Sequence, residues 1–273
     1  MSQLFQDVSP SVFEQYMRKR SDTDYLLVDV REPREYEQSH IPGAQLLPLG
    51  QLEARLSHFP PDRDLIFACR SGARSRVAAL MAADKMAEHG PIFNLDGGLL
   101  AWQGHTVTDF PQVKLLLLEH GMQQTLLAAM DLEKGAWNFY RHVLERYPNA
   151  PMARTIEYLS LAESAHAEAL YVFWVEAEEN PPEFEDLFAG LSGDILEGGM
   201  PFSEAVDRLE SAMLPFDLAV FELALDIEYA AYDLYRSAAE TTEIKSLKKL
   251  FLDIGEGEKR HMASIVKSLH KAF

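Results

Sequence analysis

The chain has a single cysteine, which lies in the segment FACRSGARS at residues 67–75. An apolar run precedes this cysteine and a helical pattern follows it. Backbone N–H groups at the start of a helix, together with the helix dipole, lower the pKa of a thiol and bind anions. Gly72 permits a tight turn, and Arg70 and Arg74 add positive charge and bidentate capacity for an oxyanion. Cys69 is therefore a candidate nucleophile.

The predicted anion-binding loop consists of the five residues that follow this cysteine: Arg70, Ser71, Gly72, Ala73 and Arg74. The plainer alternative is a buried cysteine with no chemical role, because a lone cysteine commonly packs as a small apolar residue. The polar, glycine-containing surroundings favour the chemical interpretation.

A second set of candidate residues comes from an internal repeat. Residues 131–141 read DLEKGAWNFYR and residues 226–236 read DIEYAAYDLYR, an offset of 95 residues. The same offset pairs AESAH at residues 162–166 with GEKRH at residues 257–261. A repeat at fixed spacing is an informative feature of a single sequence. Six side chains able to bind a metal recur in this register: Glu133, Glu163, His166, Glu228, Glu258 and His261.

The chemistry of this set is that of a dinuclear metal site. Each Glu-x-x-His places a carboxylate and an imidazole on one helix face. Four glutamates and two such histidines on facing helices are the ligands of di-iron and di-manganese carboxylate proteins. These donors favour iron or manganese over zinc bound by thiolates. Two divalent cations would neutralise four buried carboxylates, which are costly when unpaired. A lone Glu-x-x-His would more often be structural, but two copies in one register favour metal binding.

Two halves of different periodicity must position these residues. Short apolar runs, predicted as strands at 25–30, 44–49, 64–69 and 91–96, alternate with helical patterns in the first half. Such alternation predicts a mainly parallel α/β sheet flanked by helices, with ligands bound at the carboxyl ends of the strands. Ser75 is the predicted N-cap of the helix that follows the cysteine.

The second half carries helical periodicity in long stretches, predicted as helices at 114–147, 150–178, 203–240 and 243–271. Four long helices predict an all-α bundle. The segment 180–202 is rich in Pro and Gly and too long for a hairpin turn, so it is predicted to cross over between the second and third helices. The predicted organisation is an α/β domain at 1–107, a linker at 108–113 and a four-helix bundle at 114–273.

Composition and charge restrict the function further. The net charge is −18, and residues 114–273 account for −14 of it, which argues against a nucleic-acid partner. One cysteine excludes an intrachain disulfide and any iron or zinc site built on a CxxC pair. The N-terminal residues lack a basic, apolar signal pattern, and the apolar runs are too short to span a bilayer. These features predict a cytoplasmic protein that does not bind membranes.

The first half resembles a single rhodanese domain over about residues 5–107. The resemblance rests on LLVDVREPREYEQSHIPGAQLLPL, IFACRSGARS and NLDGGLLAW, which occur in this order. It implies sulfurtransferase activity in which Cys69 carries a persulfide received from a donor such as thiosulfate or another persulfide. Asp29, Arg31 and His40 fall in the shared structural blocks and are interpreted as scaffold, as are Asp96 and Trp102.

The main enzymatic alternative for this loop is a phosphatase or arsenate reductase, which also uses a cysteine and an arginine. Related phosphatases have Cys-x5-Arg spacing, whereas Arg74 here gives Cys-x4-Arg and Ser75 stands where that arginine would be. The shorter loop favours sulfur transfer.

The second half resembles the rubrerythrin branch of the ferritin-like superfamily over roughly residues 114–273. The resemblance rests on LEKGAWNFY, AESAHAEAL, IEYAAYDLY and GEGEKRHM. It implies two non-haem iron ions, with manganese or mixed metals as alternatives, that react with peroxide or dioxygen, and a homodimer formed through the helices. The extra carboxylate usual in that branch has no counterpart three residues after Glu133 or Glu228, where Ala136 and Ala231 stand.

Together these resemblances predict a redox protein that combines sulfane-sulfur transfer with a di-iron peroxidase or oxidase. A rubredoxin-type iron site is absent from the sequence, so electrons would come from an external donor or a thiol. The alternative is a bundle that binds or stores iron without catalysis, beside a rhodanese module for sensing or docking. Tyr140 and Tyr235, related by the repeat, are predicted to pack in the core, with a hydrogen bond to a ligand as the second option.

Overall fold

The computed structural model describes residues 5–86 and 89–272, without the side chains of residues 271 and 272. The chain forms two compact units, Met1–Phe110 and Pro111–Phe273. The division falls inside the segment predicted as a linker, 108–113. Each unit is built around its own apolar core, in agreement with the change of periodicity along the sequence.

The first unit contains a five-stranded parallel sheet with the order β1-β5-β4-β2-β3. Its strands are β1 (Gln6–Val8), β2 (Tyr25–Asp29), β3 (Gln45–Leu46), β4 (Asp64–Ala68) and β5 (Ile92–Leu95). The predicted parallel sheet is therefore confirmed. Strand β1 was not predicted, because three residues are too few to show a pattern.

Helices cover both faces of this sheet, since strands such as β2 are buried along their whole length. The helices are α1 (Pro10–Lys19), α2 (Pro33–Gln38), α3 (Leu49–Arg55), α4 (Ala73–Lys85) and α5 (Gly98–Ala101). One apolar core lies around Val28, Leu65 and Phe67, and a second around Phe13 and Tyr25.

The helix after the cysteine begins earlier than the sequence predicted. Helix α4 starts at Ala73, and its N-cap is Gly72, which adopts a left-handed conformation with φ 88°. Ser75 therefore lies inside the first turn rather than at the N-cap. Glycine suits this N-cap position because it adopts positive φ without steric cost.

The second unit is helical. Its helices are α6 (Met122–Arg146), α7 (Ala153–Trp174), α8 (Phe184–Gly190), α9 (Phe202–Ser211), α10 (Phe216–Thr241) and α11 (Lys245–Ala272). Helix α6 packs mainly against α7, and α10 against α11. The stretch 203–240, predicted as one helix, is divided into α9 and α10, because Pro215 at the N-cap of α10 cannot continue a preceding helix.

The four long helices α6, α7, α10 and α11 carry a polar layer between two apolar layers. One apolar cluster includes Leu126, Trp174 and Phe251, and the other includes Phe139 and Phe221. On each helix a buried glutamate separates the residues of one cluster from those of the other: Glu133, Glu163, Glu228 and Glu258. Along the described residues, no helix combines the length and apolar character needed to cross a membrane.

Candidate functional site

Cys69 directly follows β4, at the carboxyl-terminal edge of the parallel sheet, and is 1% exposed. Its Sγ accepts a hydrogen bond from the backbone N–H of Gly72 at 3.2 Å. It also lies 3.3 Å from the hydroxyl of Ser75 in the first turn of α4. The strand, the turn and the helix start thus direct donors at the sulfur, as the sequence predicted.

A second glycine-containing turn holds this loop in place. The N–H groups of Leu99 and Leu100 donate to the carbonyls of Cys69 and Arg70, each at 2.9 Å. The chain approaches so closely that a Cβ at Gly98 would lie 2.1 Å from the Cys69 carbonyl oxygen. Only glycine fits there, and Gly98 also has positive φ. The DGG segment of the sequence therefore packs against the thiol loop.

A chain of polar side chains extends behind the thiol. The Ser75 hydroxyl donates to Oδ1 of Asn94 on β5 at 2.6 Å, and Nδ2 of Asn94 donates to Asp7 on β1 at 2.8 Å. Asp7 in turn accepts from the guanidinium of Arg76 at 2.5 Å. Sequence reasoning missed Asn94 and Asp7, because their neighbours on the sheet are distant in the chain.

The electrostatics of this site favour a thiolate. Burial raises the pKa of Cys69, but hydrogen bonds from the Ser75 hydroxyl and from the backbone N–H groups of Ser75, Ser71 and Gly72 outweigh burial. The pKa of the thiol therefore lies below its ordinary value. A thiolate is the nucleophilic form of cysteine, so the loop activates the sulfur.

The two arginines of the loop differ in their surroundings. Arg70 is exposed. Arg74 makes a bidentate ion pair with Glu35 of α2, with N···O distances of 2.7 and 2.6 Å. The expected bidentate capacity of Arg74 for a substrate oxyanion is therefore already used by Glu35. The same pair lowers the pKa of Glu35 to about 2. Arg74 ties the start of α4 to α2.

Of the residues interpreted as scaffold, Asp29, Arg31 and His40 are buried inside the first unit, whereas Asp96 is exposed and Trp102 is partly buried. The Arg31 guanidinium pairs with Asp29 at 2.6 Å and donates to the Ser39 carbonyl at 2.7 Å. His40 stacks on Tyr36, with ring centroids 3.7 Å apart. These contacts join β2 to the segment after α2.

In the second unit, the six predicted metal ligands converge in the polar layer. They form two overlapping groups of four, and in each group the candidate ligand atoms lie within 4.8 Å of one another. The first group is Glu133, Glu163, His166 and Glu258, and the second is Glu163, Glu228, Glu258 and His261. Glu163 and Glu258 belong to both groups, which is the arrangement expected of two ions with shared carboxylates.

Both imidazoles direct the same ring nitrogen at the carboxylates. Nδ1 of His166 lies 3.1 Å from Glu258 and 3.4 Å from Glu133. Nδ1 of His261 lies 2.8 Å from Glu228 and 2.9 Å from Glu258. The repeat in the sequence thus becomes an approximate symmetry of the site.

Buried charge dominates this cluster. Burial, with the neighbouring charges of Glu228 and Glu258, raises the pKa of Glu163 well above its ordinary value. Burial also raises the pKa of Glu228 to about 7, against the lowering effect of His261. Burial opposes protonation of His261, but Glu228 and Glu258 outweigh it and raise its pKa to about 12. The imidazoles thus supply positive charge that the carboxylates require.

The donor set fits a pair of hard divalent cations. Carboxylate oxygens and imidazole nitrogens suit iron and manganese, and no thiol belongs to the cluster. Several of these buried atoms accept or donate no hydrogen bond within the described structure: Glu133 Oε2, Glu163 Oε2, His166 Nδ1, Glu258 Oε1 and Glu258 Oε2. Buried polar atoms without partners are rare in proteins, and coordinated ions would satisfy them.

Tyr140 and Tyr235 make hydrogen bonds across the repeat. The Tyr140 hydroxyl donates to Glu228 at 2.5 Å, and the Tyr235 hydroxyl donates to Glu133. Each tyrosine therefore supports a carboxylate on the other half of the repeat. Both tyrosines also belong to the buried apolar clusters, so the structure shows the predicted core packing as well as a hydrogen bond to a candidate ligand.

The first unit has the geometry of a cysteine-dependent domain, with an activated thiol in an anion-binding loop at the edge of a parallel sheet. A family model described as "Rhodanese-like domain" matches residues 12–105. A sulfurtransferase of Allochromatium vinosum is 42% identical over 93 residues, which cover 34% of this chain and 85% of that protein. The chain belongs to the rhodanese-like domain family.

Other similar proteins match over comparable lengths of this chain. The probable adenylyltransferase/sulfurtransferase MoeZ of Mycobacterium tuberculosis is 40% identical over 78 residues, 28% of this chain and 19% of that protein. The crystal structure of a rhodanese-like domain protein from Staphylococcus aureus aligns with a TM-score of 0.35 and 20% identity, over 38% of this chain and 99% of that one.

Proposed function

We propose that the first unit is a sulfurtransferase in which Cys69 carries the transferred sulfur. The observation that carries this proposal is the buried Sγ held by donors from Gly72 and Ser75 in a loop at the carboxyl ends of the strands. The sulfurtransferases among the relatives support the reaction type.

The reaction proceeds in two displacements. The Cys69 thiolate attacks the outer sulfur of thiosulfate, a sulfur–sulfur bond forms, and the bond to the sulfonate breaks with release of sulfite. The persulfide anion then lies among the backbone N–H groups at the start of α4, which stabilise negative charge. A nucleophilic acceptor attacks the outer sulfur, and the electron pair of the breaking bond returns to Sγ, which restores the thiolate.

Cys69→Ser tests this proposal directly. The variant should transfer no sulfur from thiosulfate to cyanide and should show no persulfide by mass spectrometry, because the chain has no second cysteine. Ser57→Ala is the matched control, since Ser57 is exposed and lies outside the loop that follows Cys69. Sulfur transfer at the wild-type rate by Cys69→Ser would refute the assignment.

We further propose that the helices of the second unit form a ferritin-like four-helix bundle with a dinuclear metal site of the rubrerythrin type. The convergence of six ligands in two groups of four carries this proposal. Bound iron would supply redox chemistry with peroxide or dioxygen, and electrons would come from an external donor. The chain's own residues bind the ions, and Tyr140 and Tyr235 orient the glutamates.

Metal analysis tests the second proposal. The protein, stripped with chelator and reconstituted with Fe(II), should hold two ions per chain, and replacement of both Glu163 and Glu258 by alanine should abolish binding. Wild-type protein without metal would refute the site. Many ions per chain would instead support storage, and two ions without peroxide turnover would support a sensing or docking role.

A further inference from the structure

One more buried carboxylate, besides the four glutamates of the candidate site, lies outside the helical repeat. Glu197 belongs to the crossover segment, residues 175–201, which connects α7 to α9. Its side chain is 2% exposed, and neither carboxylate oxygen accepts a hydrogen bond from the described residues. Among the described residues, no Lys, Arg or His forms an ion pair with Glu197. A buried carboxylate without a partner is costly as an anion, so Glu197 is either protonated or neutralised by a cation.

The backbone of the crossover segment carries this residue into the helical unit. A Cβ at Gly135 of α6 would lie 2.1 Å from the carbonyl oxygen of Ile195. A Cβ at Gly198, which has a φ of 81°, would lie 2.4 Å from the Cβ of Ala230 on α10. The segment therefore fits between α6 and α10 only because glycine stands at both contacts.

Local hydrogen bonds fix the turn that presents Glu197. The N–H of Leu196 donates to Met200 at 2.8 Å, and the N–H of Gly199 donates to Leu196 at 2.9 Å. Upstream, the N–H of Gly193 donates to the Asp131 carboxylate at 3.0 Å, two residues before Glu133. The turn is held by α6 itself, so Glu197 has a defined position beside the metal-binding layer.

The neighbours of Glu197 belong to the first of the two groups of candidate ligands. The segment contacts Asp131 and Gly135, which lie on either side of Glu133 in α6, and the charges of Glu133, Glu163 and Glu258 act on the Glu197 carboxylate. These are the three carboxylates of the first group of four, which His166 completes. We propose that Glu197 is a seventh side-chain ligand, which binds the ion held by Glu133, Glu163, His166 and Glu258. This inference rests on the dinuclear site proposed above.

The proposal makes the two ion positions unequal. The repeat relates the six helical ligands by an offset of 95 residues, but Glu197 lies on the crossover segment, which occurs once in the helical unit. The helical positions that could have supplied an extra carboxylate carry Ala136 and Ala231. The crossover segment thus provides one ion with a ligand that the other lacks.

Mn(II) titration of the chelator-stripped full chain tests the proposal. Wild-type protein should bind two ions, and Glu197→Gln should weaken one of them on the order of 10- to 100-fold. Glu185→Gln, an exposed glutamate of the same crossover segment, should bind as wild type does. Two ions bound with unchanged affinity by Glu197→Gln would refute the seventh ligand, whereas no binding by wild type would refute the dinuclear site itself.

Double variants identify which ion is affected. In His261→Ala, which retains the first group, Glu197→Gln should weaken the remaining ion. In His166→Ala, which disrupts the first group, it should change nothing further. The reverse pattern would overturn the assignment. Thermal melting of the metal-free variants controls for folding, and Glu197→Asp, which keeps the charge but shortens the side chain, should also weaken the first ion.

Discussion

The hydrogen bond from Ser75 to Cys69 leads to a quantitative prediction about sulfur reactivity. The Ser75 hydroxyl lies 3.3 Å from Sγ and contributes to the lowered pKa of the thiol. A hydrogen bond to a charged group contributes about 1.5–3 kcal/mol. Ser75 has one hydroxyl proton, and Asn94 competes for it at 2.6 Å. We therefore take the lower limit of this range as the free energy that the hydrogen bond contributes. About 1.4 kcal/mol corresponds to a tenfold change in an equilibrium constant.

Ser75→Ala should accordingly reduce the acid dissociation constant of the Cys69 thiol about tenfold. The sign follows from the charge: the donor stabilises the thiolate, so its removal raises the pKa of Cys69. Because Cys69 is the sole cysteine, the rate of alkylation by iodoacetamide reports on this thiol alone. The variant should react more slowly at neutral pH, by at most about tenfold, and reach the wild-type plateau at alkaline pH.

The matched control is Ser71→Ala. Ser71 stabilises the thiolate through its backbone N–H, and its side chain is exposed, so this substitution should leave the pH profile unchanged. An unchanged profile for Ser75→Ala, or an equal change for Ser71→Ala, would refute the proposed role of the hydroxyl.

Three further predictions follow from the packing around the two sites. Asn94→Leu removes the acceptor that competes for the Ser75 proton, so alkylation at neutral pH should become faster than in wild type. Gly98→Ala places a Cβ 2.1 Å from the Cys69 carbonyl at positive φ and should cost about 1–3 kcal/mol in a denaturant titration, with slower sulfur transfer. Phe251→Ala removes a ring that is 0% exposed in the core of the helical unit and should lower the free energy of unfolding by about 3–5 kcal/mol. Wild-type stability of either of the last two variants would contradict the packing described.

Sequence periodicity accounts for the two units and for their principal reactive residues. Alternating short apolar runs and helical patterns predicted the parallel sheet, because the pattern that identifies a strand or a helix is contained in the local sequence. The 30-residue and three-residue spacings of the repeat predicted six side chains that the structure brings together. The three-residue spacing indicates a shared site because a helix places residues i and i+3 on one face.

The sequence did not predict the contacts of residues that lie outside these regular patterns. Glu197 lies in a single 3-10 turn, Glu197–Gly199, and its burial depends on close contacts at Gly135 and Gly198 that no sequence periodicity predicts. The pairing of Arg74 with Glu35 joins residues 39 positions apart, and that of Tyr140 with Glu228 joins residues 88 positions apart. Chain folding alone decides such contacts.

The amino-acid sequence by itself therefore determined that a lone thiol stands in a glycine-containing loop before a helix and that two Glu-x-x-His motifs recur in register. The tertiary structure decided which groups surround them. It directs the Ser75 hydroxyl at Sγ instead of at a helix end, engages Arg74 with Glu35, and places the segment of Glu197 against the residues on either side of Glu133. The physical reason is that local periodicity determines the face of a helix or strand on which a residue lies. Long-range packing determines which residues contact that face.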